Sequence, residues 1–76
     1  MKPGDLVGIR ESFRGSRTIF NDEGGWAGDF LAGVGFVVEL NENFRTGKYG
    51  SLGSYAKIIT GDKIGWFRAE FLEVIL

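Results

Sequence analysis

Asp22, Glu23 and Asp29 form the acidic cluster of this 76-residue sequence. Paired carboxylates carry acid–base work when one donates a proton while the other accepts or attacks. Here they stand among Gly24, Gly25 and Gly28, in the composition of a solvated turn. The chain has no histidine and no cysteine. That removes the commonest general base and the thiol nucleophile. A domain this small also has little room for a substrate cleft. The expectation is a protein with no catalytic residue.

Other chemistries fail on spacing. Asn21-Asp22-Glu23-Gly24 offers oxygen ligands beside a glycine, as calcium loops do. It lacks the alternating acidic positions and the distal bidentate glutamate of an EF-hand. Zinc has no ligand set without cysteine or histidine. Thr46-Gly47-Lys48 resembles the end of a phosphate loop, but Tyr49 follows the lysine and Glu42 stands where the first glycine belongs. No metal and no cofactor is expected.

Binding is the remaining class. Phe13 lies between Arg10 and the pair Arg14 and Arg17. Phe44 and Tyr49 flank Arg45 and Lys48. Trp66 is near Lys63 and Arg68. Small barrels hold single strands of nucleic acid with rings beside cations, which makes Arg14, Arg17, Arg45 and Lys48 the candidate nucleic-acid residues. Nine Lys and Arg against ten Asp and Glu give a net charge of −1, whereas a nucleic-acid coat needs a basic excess. The leading expectation is therefore contact with another protein, for which Arg, Trp and Tyr are typical anchors. Trp26 in the first long connection, with Phe44 and Tyr49 in the second, are candidates. Gly and Ser around Tyr49 predict that it is exposed, whereas Trp26 is expected to fold over the end of the domain.

These groups need a scaffold. Seventy-six residues make one domain, and one this size needs large apolar groups to form a core. Seven Phe, two Trp and two Tyr supply them. Thirteen glycines predict many turns and close backbone approaches. Residues 30–38, the longest mostly apolar run, are too few to span a bilayer. No apolar run follows the charge at the start, as a signal peptide would need, and small secreted domains often carry disulfides. A cytoplasmic protein without a membrane partner is expected.

Alternation of apolar residues predicts strands over 6–11, 34–40, 55–60, 63–67 and 73–76. A short strand over 17–20 is also open, ending at an Asn-Asp-Glu-Gly turn. Val7 and Ile9 are expected in the core. Over 34–40, either alternating face could be the inward one. Gly61-Asp62 reads as a two-residue hairpin turn. Residues 68–72 fit a single 3₁₀ turn. Two long connections, 12–33 and 41–54, are rich in glycine and aromatic residues, and such loops on a rigid scaffold commonly carry function. Short strands with glycine turns at this length predict an all-β fold, a barrel of about five strands. Unpaired edges in so small a barrel leave self-association open.

The closing run Gly65-Trp66-Phe67-Arg68-Ala69-Glu70-Phe71-Leu72-Glu73-Val74-Ile75 resembles the end of SH3 domains. The opening Gly4-Asp5-Leu6-Val7 and the run Gly33-Val34-Gly35-Phe36-Val37-Val38 are similar to strands of SH3-like and KOW-like modules. The whole pattern also looks like small SH3-like proteins of bacteriophages. The resemblance covers about half the chain and implies a five-stranded SH3-like barrel with Phe67 and Leu72 inward. It implies that Tyr55, Trp66, Arg68 and Phe71 stand at a groove or its edge, with the alternative that the first long connection covers Trp66. The groove differs from that of SH3 domains: Arg68 replaces a proline, Glu70 an asparagine, Phe71 a tyrosine and Tyr55 a tryptophan. Polyproline recognition is therefore not carried over. The resemblance implies a non-catalytic interaction or structural module, an accessory protein of phage type.

Overall fold

The computed structural model describes residues 1–47, 50 and 52–75. Apolar alternation and glycine turns produce strands β1 (Leu6–Ile9), β2 (Thr18–Phe20), β3 (Trp26–Asp29), β4 (Val34–Arg45), β5 (Leu52–Thr60), β6 (Lys63–Arg68) and β7 (Leu72–Val74). A 3₁₀ turn, Ala69–Phe71, precedes β7. The described residues form one antiparallel sheet in the order β3-β2-β6-β5-β4-β1-β7.

This all-β architecture matches the expected class, but the strand count differs. The first long connection contributes the hairpin β2–β3, and β2 joins the sheet where Phe20 pairs with Trp66. The second connection is mostly strand, because β4 runs to Arg45 and β5 begins at Leu52. The end strands β3 and β7 do not pair, so the sheet is open.

Neighbouring residues along a strand point to opposite faces, and here both faces build a cluster. Val7, Ile19, Phe30, Val37, Ala56, Ile58, Phe67 and Leu72 are buried together on one face. Phe30 meets Phe67 edge-on at 5.4 Å between ring centres, a favoured aromatic arrangement. The buried Thr60 hydroxyl donates to the Val34 carbonyl at 2.8 Å. On the opposite face of β5 and β6, Tyr55 and Trp66 bury with Phe44, and Phe20 packs against them.

The strand over 34–40 turns Gly35 and Val37 inward, leaving Val34 and Phe36 exposed. Bulges between Val37 and Glu39 and between Asn41 and Phe44 then shift the register of β4 against β5. The extra residues bend the strand and reset which side chains face inward. They bring Phe44 over β5 and β6, where its ring stacks on Trp66 at 4.8 Å and 23°.

Candidate functional site

The seven candidate partner residues separate into different environments. Phe44, Tyr55 and Trp66 are buried. Of the two readings of Trp66, an open edge or a covered ring, the structure has the covered one: Phe44 from the second connection stacks on its ring, and its Nε1–H donates to Asp22 Oδ1 of the first connection at 2.8 Å. Phe44, expected on display in a loop, serves instead as that cover. Its burial follows from the extended β4, which carries it back over the sheet. Trp26 is also corrected, in the other direction. It is 70% exposed on the edge strand β3 rather than folded over the end of the domain. Tyr49 lies outside the described residues.

The remaining candidates converge. Tyr55, Arg68 and Phe71 line a groove of about 240 Å³ with Phe13, Phe20 and Phe67. The first connection supplies Phe13 and Phe20, while β5, β6 and the 3₁₀ turn supply the rest. Phe13 packs against Phe71 at 4.4 Å with the rings tilted by 33° and meets Phe67 edge-on at 5.7 Å. Backbone bonds hold that wall: Arg10 N–H donates to Phe71 O at 2.8 Å and Phe13 N–H to Arg10 O at 3.0 Å. The Arg68 guanidinium lies 5.3 Å from the Tyr55 ring and pairs with Glu70 at 3.2 Å. Burial opposes its charge, but Tyr55 and Glu70 hold its pKa above the ordinary value.

Phe13 and Phe20 were not among the candidate site residues. The signal was their place in a connection too apolar to be a free linker, but sequence alone does not say which wall they form. A larger depression of about 500 Å³ lies beside Leu40, Leu72 and Val74, with Glu42, Glu70 and Glu73 around it. Among the described residues, Tyr55 is the only aromatic in its lining.

Arg14, Arg17 and Arg45 are exposed, and Lys48 lies outside the described residues. Arg14 donates to the Glu11 and Phe13 carbonyls at 2.6 and 3.0 Å. Arg10 and Arg14 share their surface with Glu11 and Glu73, which breaks up the positive field that phosphates need. Lys57 is committed to Asp22 at 3.1 Å.

The turn weighed as an oxygen-ligand loop is a structural knot. Asn21 Oδ1 accepts from the Glu23 and Gly25 amides at 3.0 and 2.9 Å. The Trp66 hydrogen bond, then Lys57, hold the Asp22 carboxyl below its ordinary pKa. Among the described residues, no three acidic side chains gather as a metal site would require, and no helix is long and apolar enough to cross a membrane. Comparison with family models, curated proteins and solved structures found no match to this chain.

Proposed function

We propose that this chain is a non-catalytic protein-interaction module, built as an SH3-like barrel, whose aromatic groove takes an extended segment of another protein. The barrel reading is supported by the strand succession β6-β5-β4-β1-β7, with a 3₁₀ turn leading into the last strand. In this reading β2 and β3 form a long hairpin attached to a five-stranded barrel. The observation that carries the functional reading is the convergence of Tyr55, Arg68 and Phe71 with Phe13 and Phe20 in one groove. Its rings offer flat apolar walls to small apolar side chains, and the Arg68 guanidinium offers N–H donors to main-chain carbonyls. With no cysteine in the chain, the module suits a reducing compartment, and we place it in the cytoplasm as an accessory protein.

The test is selection of a displayed random-peptide library on the wild-type protein, followed by binding to the Phe71→Ala and Arg68→Ala variants. Selected peptides are expected to bind the wild type at micromolar concentration and to lose at least ten-fold in affinity on both variants. Equal binding to all three proteins would remove the groove from the function. Fluorescence anisotropy with labelled single- and double-stranded DNA and RNA separates the other class. Micromolar binding that falls steeply with salt would replace this reading by a nucleic-acid one.

A further inference from the structure

The face of the sheet that carries Trp66 continues into an apolar row that stays partly exposed among the described residues. Leu6 pairs with Phe36, Phe36 with Ile59 and Ile59 with Ile64. Directly paired residues of antiparallel strands share a face, so these four side chains stand side by side. Ile75 extends the row: its N–H donates to Leu6 O at 2.9 Å, and its side chain lies over Gly8 on that face. Phe36, Ile59, Ile64 and Ile75 are 54%, 45%, 48% and 46% exposed. The row crosses five chain segments without a charged residue, and none of its members lines the groove.

We infer that this row is a dimer interface and that its occupant is a second copy of the same chain. The order Ile75, Leu6, Phe36, Ile59, Ile64 is aliphatic, aliphatic, aromatic, aliphatic, aliphatic. It therefore reads alike in either direction. A two-fold axis through Phe36 sets ring against ring, Leu6 against the partner's Ile59, and Ile75 against the partner's Ile64. An isologous interface requires this self-complementarity. Two such sheets pack face to face at a spacing of about 10 Å. The row itself carries no charge; beside it on the same face Glu39 is paired in register with Lys57, and Glu73, paired with Gly8, flanks Ile75. A half-exposed large apolar side chain contributes on the order of 100 Å². The row with its neighbour Val34 then buries about 500 Å² per copy, near the lower limit for a specific interface. The dimer is accordingly weak, forming at micromolar concentrations.

Sedimentation equilibrium from micromolar to about millimolar protein tests this directly. The expected result is a concentration-dependent dimer, with association at least 30-fold weaker for Phe36→Glu, which sets two carboxylates together. Far-ultraviolet circular dichroism should show Phe36→Glu still folded. The surface variants Ile64→Lys and Ile75→Glu test the register. Each alone should weaken the dimer, and an equimolar mixture should restore it, since the introduced ammonium of one copy then meets the introduced carboxylate of the other. A wild type monomeric at every concentration would overturn the inference, as would a dimer indifferent to Phe36→Glu. So would a monomer that adsorbs to neutral phosphatidylcholine vesicles through this face.

Discussion

The indole Nε1–H of Trp66 donates to Asp22 Oδ1 at 2.8 Å, across 44 positions of sequence. This bond ties the turn between β2 and β3 to the middle of β6. The same oxygen pairs with Lys57 Nζ at 3.1 Å, and the Lys57 ammonium lies 5.8 Å from the Trp66 ring. Three residues from three parts of the chain thus meet over the Phe44–Trp66 stack.

The knot gives stability a pH dependence. In the folded state the Asp22 carboxyl titrates below its ordinary value of 3.8. A carboxyl with a depressed folded pKa contributes stability that is full above the unfolded pKa and is lost as pH falls through the folded one. Thermal melts should therefore show a falling Tm as the pH drops from about 5 through this window. Asp22→Asn should flatten that part of the profile, and an unchanged slope would show that Asp22 does not couple to folding.

Removing the Phe44 ring opens a cavity over Trp66. Phe44→Ala is expected to cost about 3–5 kcal/mol, out of roughly 4–11 kcal/mol for a chain this long. Phe44→Leu is the gentler probe, at about 1 kcal/mol. Urea denaturation read by far-ultraviolet circular dichroism measures both. A loss under about 0.5 kcal/mol for Phe44→Ala would mean that the ring is not buried in solution.

Gly24 joins the two long connections. Its φ is 86°, and a Cβ there would lie 2.5 Å from Gly47 N and 2.6 Å from Arg45 O. Gly33 has φ 78° and open space around the same position. Gly33→Ala should thus cost only the left-handed strain, about 1–2 kcal/mol. Gly24→Ala adds a clash with backbone and should cost more than Gly33→Ala by at least ~1 kcal/mol. Equal losses in the same urea titration would show that the connections do not touch there.

The two tryptophans report separately. Trp26→Phe should leave stability within about 0.5 kcal/mol, as substitutions at exposed sites do. The remaining Trp66 emission should be blue-shifted and resistant to acrylamide. In Trp66→Phe, if folded, the Trp26 emission should be red-shifted and readily quenched. Similar quenching of the two would contradict the opposite burial of the rings.

Much of the fold is legible in local patterns. Alternation marks the strands around Val7, Val37, Ile58 and Phe67, and Gly61-Asp62 marks the tight hairpin between β5 and β6. Phe67 and Leu72, expected to point inward, are both buried. Strand β3 is hard to read because Trp26-Ala27-Gly28-Asp29 has no β-branched residue and a glycine at φ 136°. Its pairing with β2 makes it a strand. The fate of Phe44 is nonlocal too. Two bulges in β4 decide which face it reaches, and the spacing of apolar residues does not encode a bulge. In the groove, Tyr55, Arg68 and Phe71 are suggested by resemblance, while Phe13 and Phe20 join them only once the first connection has folded back.

The pairing of Val7 with Val74 brings together residues 67 positions apart, whereas β4, β5 and β6 are successive strands joined as hairpins. Closing a long loop costs entropy before its contacts form. The three-strand meander is therefore expected to form first, with β1 and β7 joining it last. Substitutions at Val7 or Val74 would then act mainly on the rate of unfolding, so the seam between these strands governs how long the native state lasts once it has formed.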